Sequence, residues 1–252
     1  MKKVFKENWQ FLLLVLLGGL LGGYCIGLYS YDSLDPKLLE ELQSQNVSKE
    51  MMALSSMIQY GIVFGLILAT IGIILSKKIK LWKKFKINKK AIIATSIITI
   101  ICALLLYPGD KFIFGSLNTW VNEQYVVKPT IYKIVGGLLV GGIIEEVMMR
   151  LFFMSLVIFV VSKLFYKNKK EVPVSVFVIA NIISTLLFAA GHLPSTSTMT
   201  TLTPLIIFRC FLFNGGIGLC FGYLYRKYGI GYAMISHGLC HLISDLLMII
   251  LI

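Results

Sequence analysis

Seven apolar runs, each near the length of a bilayer-crossing helix, take up most of this chain: residues 9–29, 53–75, 91–107, 144–165, 174–191, 205–224 and 230–252. About 20 residues of helix cross the ~30 Å hydrocarbon layer of a membrane. Only 14% of the chain is charged and 57% is hydrophobic, whereas soluble domains carry about a quarter charged residues. These features predict an all-α, polytopic membrane helix bundle with about seven transmembrane helices. Residues 1–252 would form a single membrane domain, a three-span part at 1–130 followed by a core at 131–252. With 252 residues in all, no sizeable soluble domain fits beside the spans.

The net charge of +12 is placed as in a membrane protein. Eight lysines fall between Ser76 and Lys90, in a loop between two spans, where they are retained inside and attract anionic lipid headgroups. No aromatic-interleaved basic face accompanies them, which argues against nucleic acid as a partner. With the N-terminus inside, the inner loops hold sixteen lysines and arginines and the outer ones five. The stretch from Asp32 to Glu50 is acidic, which fits the outside. Met1-Lys2-Lys3 before an apolar run imitates a signal peptide but lacks a small-residue cleavage site, and reads as an uncleaved anchor. The five cysteines lie in apolar stretches without a Cys-x-x-Cys spacing, as small apolar fillers do.

Three charges interrupt the fourth run within six residues: Glu145-Glu146-Val147-Met148-Met149-Arg150. An ionisable group inside the membrane costs a few kcal/mol and marks function by default. On a helix Glu146 and Arg150 are four apart and share a face, while Glu145 turns about 100° away. The expected division of labour is an ion pair, Glu146–Arg150, with Glu145 left for chemistry. Gly136, Gly137, Gly141 and Gly142 precede them and suggest a tilted or broken entry into that helix.

Histidine occurs three times, each time in or at the end of a later span. Phe188 and His192 share a face, with Ala189, Ala190 and Gly191 between them to admit a neighbouring backbone. His237 and His241 also share a face and could hold a metal, orient a water or donate to an oxyanion. His192 falls near the outer end of its span and His237 near the inner end of its own. A shared site therefore requires either a seventh helix that starts deep or a 193–203 segment that folds back. The run Asn214 to Gly222 supplies a small-residue packing stripe. Arg209 has no evident role beyond pairing with Asp245 or reaching the headgroups.

Taken in order, Glu145-Glu146-x-x-x-Arg150, Phe188-x-x-x-His192 and His237-x-x-x-His241 resemble the CPBP intramembrane proteases, the family of CAAX prenyl endopeptidases and of bacteriocin-processing or immunity proteins. The resemblance covers about Ile131 to the C-terminus. Family members more often have Phe before the arginine, Gly after it, and Asn or Asp at the position of His241. The resemblance implies an intramembrane endopeptidase in which Glu145 activates water, His192 orients it, and His237 with His241 stabilises the oxyanion. Glu146 and Arg150 would preorganise the helix. A zinc ion on Glu145, His192, His237 and His241 and a metal-free glutamate–histidine mechanism both fit these residue types, the second being preferred for want of a defined supporting carboxylate.

The expected partners are membrane lipids and a peptide or protein substrate, such as a pheromone or bacteriocin precursor, in a bacterial plasma membrane. The alternative is a non-catalytic bacteriocin immunity or scaffold protein that keeps the fold. A proton-coupled transporter is disfavoured by the lack of an inverted repeat. The sequence leaves oligomeric state and substrate identity open.

Overall fold

The computed structural model describes residues 2–167 and 172–252. Lys169 and Lys170, counted above in an inner loop, lie outside the described residues, as does Met1. All the regular structure described is helical. The helices are α1 (Lys2–Asp32), α2 (Pro36–Ser44), α3 (Lys49–Lys78), α4 (Lys89–Phe114), α5 (Thr119–Glu123), α6 (Ile131–Phe165), α7 (Val174–Ser197), α8 (Pro204–Tyr228) and α9 (Ile230–Leu251). Seven of them, all but α2 and α5, are long and apolar enough to cross a membrane.

Helix starts are written in the sequence by side chains that accept the otherwise unpaired first N–H groups. Asn88 accepts from Ala91 N at the head of α4, Thr130 from Lys133 N at α6, and Thr203 from Ile206 N at α8, where Pro204 fills the first turn. The outer surface is apolar: Leu13, Leu17 and Leu21 of α1 and Ile93, Ile97 and Ile100 of α4 are all about half exposed. The charged groups Glu146 and Arg150 are fully buried instead. This arrangement suits a solvent of lipid.

α6 is the central post, packed against α1, α3, α7, α8 and α9. It is neither broken nor interrupted at its glycines. A single 35-residue helix runs through them, widened to π turns over Gly137–Glu145 and Val147–Met154. The glycines serve close approach. A Cβ on Gly142 would lie 2.7 Å from Gly238 Cα, so α6 and α9 touch backbone to backbone. On α1, a Cβ on Gly22 would lie 2.7 Å from Leu139 Cβ of α6, the kind of contact that small residues permit between membrane helices.

The difference in depth between His192 and His237 resolves through the start of α9. α7 continues as helix through Pro194 to Ser197, so the 193–203 stretch does not fold back. His192 stands about five helical turns from Val174, and His237 about two turns from Ile230. Because the two histidines flank one carboxylate (below), the Gly229 turn between α8 and α9 is set deeper along the bundle than the start of α7. Gly229 makes that turn with φ +106°, a left-handed conformation that favours glycine.

Two further ion pairs tie the end of the bundle away from the lysine loop. Arg209 pairs with Asp110 of α4, its Nε donating to Oδ1 at 2.7 Å, and Tyr125 O–H also donates to Asp110. Burial and the Asp110 charge push the Tyr125 phenol above its ordinary value, which keeps it a donor. Asp245 pairs instead with Lys133 at 3.0 Å. Arg209 therefore pairs with Asp110 and not with Asp245. The apolar run 91–107 ends before Pro108, whereas the helix widens into π turns and carries Asp110 to this contact.

Candidate active site

The two adjacent glutamates project to different sides of α6 at the junction of its two π segments. Such widened turns often occur at functional sites. Glu146 is fully buried, and its Oε1 lies 3.0 Å from Arg150 Nη1 and 2.8 Å from His237 Nδ1. Arg150, also fully buried, donates from Nη2 to the Gly218 carbonyl at 2.8 Å. It packs over the rings of Phe188 and Phe221, with centroid distances of 5.3 and 5.8 Å. A Cβ on Gly218 would come within 2.7 Å of Nη2. The small-residue stripe of α8 thus makes room for the guanidinium as well as for packing.

The pair is not fully satisfied. Glu146 Oε2 and Arg150 Nε are buried without a hydrogen-bond partner. Burying two ions costs several kcal/mol each, and imperfect pairing does not recover it. An ion pair kept under those terms is poor evidence of a stability device, and better evidence that it holds His237 in place.

Glu145 is the freer carboxylate, its side chain 21% exposed. Oε1 lies 3.9 Å from His192 Nε2, and Oε2 lies 3.7 Å from His237 Nε2. His192 Nδ1 lies 2.8 Å from the Phe188 carbonyl. A carbonyl only accepts, so Nδ1 carries a proton, and Nε2 is the ring nitrogen that faces Glu145. The Phe188-x-x-x-His192 spacing thus has a second use, in setting the tautomer. Ala189 faces α8, where its carbonyl accepts from the Cys210 thiol at 3.3 Å. Gly191 has no neighbour against it, so it does not share in that approach.

His237 is sandwiched. Phe221 stacks on it at 4.4 Å and His241 at 5.1 Å, with interplanar angles of 22° and 27°. Its Nδ1 faces the Glu146 carboxylate, and its Nε2 faces Glu145. Gly141 explains how His241 joins it. A Cβ there would lie 3.0 Å from His241 Nε2, 2.9 Å from His241 Cδ2 and 3.6 Å from His237 Nε2. Both Nε2 atoms therefore face one bare stretch of α6.

Gly141→Ala is expected to push the His241 ring off His237, and a His241 that donates to an oxyanion would then cost about 10²–10³-fold in activity. Thermal unfolding should change little by comparison. Unchanged activity in Gly141→Ala would remove His241 from the site.

All six expected site residues, Glu145, Glu146, Arg150, His192, His237 and His241, therefore gather in one contact cluster. Their metal-holding geometry is a separate matter. Among the described residues, no group of three or more His, Cys, Asp or Glu side chains is placed to hold a metal ion. Nitrogen–oxygen separations of 3.7 and 3.9 Å exceed the roughly 3.3 Å edge that zinc bonds of about 2.0–2.1 Å imply for a tetrahedron. Sequence reasoning missed Phe221 and Tyr60 of α3, the latter within electrostatic range of Glu145, and it marked Gly141 only as a weak point of its helix. Each is an apolar or aromatic position on a helix face, with nothing local to distinguish it from core packing.

Compared with known families, residues 127–243 match the model described as type II CAAX prenyl endopeptidase, Rce1-like. That region contains all six residues of the cluster, and Tyr60 lies outside it. No curated protein and no solved structure matches the chain.

Proposed function

We propose that Glu145 is the general base of a metal-free intramembrane endopeptidase, a reading supported by the match of residues 127–243 to the Rce1-like type II CAAX prenyl endopeptidase model. The observation that carries this reading is the placement of one partly exposed carboxylate between two histidine Nε2 atoms, 3.9 and 3.7 Å away. Polar atoms separated beyond 3.5 Å are commonly bridged by water. A water held by Glu145 and the Nε2 lone pair of His192 loses a proton to Glu145 as it attacks the peptide carbonyl.

The oxyanion formed needs donors. His237 supplies one from Nε2 when its imidazole carries two protons, with Glu146 behind Nδ1 to balance the charge, as the buried acid of a hydrolase triad does. His241 supplies the second. With His237 charged, two carboxylates face one guanidinium and one imidazolium, and the site is neutral overall. Glu145 then returns its proton to the departing amine. Zinc at Glu145, His192, His237 and His241 would serve as a Lewis acid, but the donor spacing favours the metal-free route.

As substrate we propose a membrane-associated peptide precursor, of the pheromone or bacteriocin kind. The Lys-, Ile- and Asn-containing composition suggests an AT-rich bacterial source. The N-terminus would lie inside. Cysteines introduced at Lys80 or Lys86 should then resist an impermeant thiol reagent in intact cells, and one at Gln43 should react; the reverse pattern would overturn the orientation. Loss of cleavage in Glu145→Gln tests the chemistry, as argued in the Discussion.

A further inference from the structure

A cleft of about 820 Å³ opens between α1, α6 and α9 at the lysine-rich end of the bundle. None of the six clustered site residues lines it. It approaches them through Ile143 and Gly238, where the Gly142–Gly238 contact walls it off.

The walls are apolar: Leu14 of α1, Leu139 and Ile143 of α6, and Ile235 and Leu239 of α9. The mouth is cationic and is built by two local features. Asn8 breaks the regular dihedrals of α1 (φ −132°, ψ 19°), its amide donating to the Val4 carbonyl at 2.8 Å, so the first turns bend and bring Lys6 and Glu7 to the rim. The 79–88 loop forms the other side and is strapped across the start of α9. Tyr232 O–H donates to the Lys86 carbonyl at 2.8 Å, and Lys83 Nζ donates to the carbonyls of Arg226 and Lys227.

The charges at the mouth are Lys6, Glu7, Lys83 and Lys84. Glu7 is paired with Lys77 at 2.7 Å, and Lys83 is committed to its two carbonyls. Lys6 and Lys84 donate to no acceptor among the described residues, and although Lys84 lies within electrostatic range of Glu7, three lysines against one glutamate leave the mouth cationic. The indole N–H of Trp82, which also lines the cleft, is buried without an acceptor.

We propose that this cleft binds one anionic phospholipid of the surrounding membrane. The phosphate would sit between Lys6 and Lys84, with an acyl chain along Leu14, Leu139 and Ile235. An apolar slot closed by lysines at the lysine-rich end matches both halves of such a molecule. A basic pocket between membrane helices is the usual form of a lipid headgroup site. The inference does not depend on the protease reading, since none of the six clustered residues takes part.

The test uses full-length protein with Trp9→Phe and Trp120→Phe, which leaves Trp82 as its tryptophan. It is reconstituted in phosphatidylcholine vesicles, and phosphatidylglycerol or phosphatidylcholine brominated on the acyl chains is titrated in. At about 1 kcal/mol for each lysine near the surface, half-maximal quenching of Trp82 should need at least about fivefold less brominated phosphatidylglycerol than brominated phosphatidylcholine. Lys6→Gln/Lys84→Gln should bring the two lipids together. Lys89→Gln/Lys90→Gln, which removes equal charge from the same end but outside the cleft, should keep the preference. Equal quenching by both lipids in the parent protein would overturn the proposal. So would a preference that survives Lys6→Gln/Lys84→Gln, or one that both double variants lose alike, because diffuse surface attraction would explain that.

Discussion

Glu145→Gln is expected to abolish peptide cleavage while leaving the protein folded, with a loss of at least about 10²–10⁴-fold, the range supplied by a positioned general base. The amide keeps the volume and can still touch both histidines, but it cannot accept a proton from water. Stability should survive because the buried guanidinium of Arg150 is paired with Glu146 and not with Glu145. Its nearest polar neighbours are the histidine Nε2 atoms at 3.9 and 3.7 Å, and it is partly exposed. Cleavage rate and thermal melting measured on one preparation separate the two effects. Full activity in Glu145→Gln would remove the proposed base. A large drop in melting temperature without expression loss elsewhere would make Glu145 structural.

The neighbouring glutamate should behave differently. Glu146→Gln leaves Arg150, with no exposed surface, without its anion and facing only the Gly218 carbonyl and two aromatic rings. Breaking a buried pair by removing one partner costs about 3–5 kcal/mol. The same change removes the carboxylate behind His237 Nδ1, so residual folded protein should also be slow. A detergent melt beside the cleavage assay checks both, and a normal melt would contradict the fully buried ion pair. The contrast matters more than either number, since one glutamate should cost activity alone and its neighbour activity and stability together.

Much of this was legible because the relevant pairs are local. Glu146 and Arg150, Phe188 and His192, and His237 and His241 are each four apart, and helical geometry alone puts each pair on one face. The seven spans were legible because lipid imposes apolar runs of a set length. Contacts between distant helices were not. Nothing near Arg209 points to Asp110, 99 residues earlier, and nothing near Lys133 points to Asp245. The glycines of α6 suggested a break because glycine weakens a helix locally. Their use in admitting the α9 backbone and the His241 ring depends on a partner that local sequence does not reveal. The depth of the Gly229 turn was hidden for a related reason: hydropathy marks where a helix is apolar, not how far along the bundle it is set.

The central claim is that these residues hydrolyse a peptide bond without a metal. It is tested most directly by mass spectrometry of a purified precursor peptide, taken from a small gene beside this one, incubated with chelator-treated full-length protein in vesicles. The expected result is two fragments whose masses sum to the peptide plus one water, and intact peptide when Glu145→Gln replaces the wild type. An intact peptide with the wild type, bound but uncut, would contradict the account and leave an immunity or scaffold role. Cleavage that stops on chelation and returns with zinc would contradict its metal-free part.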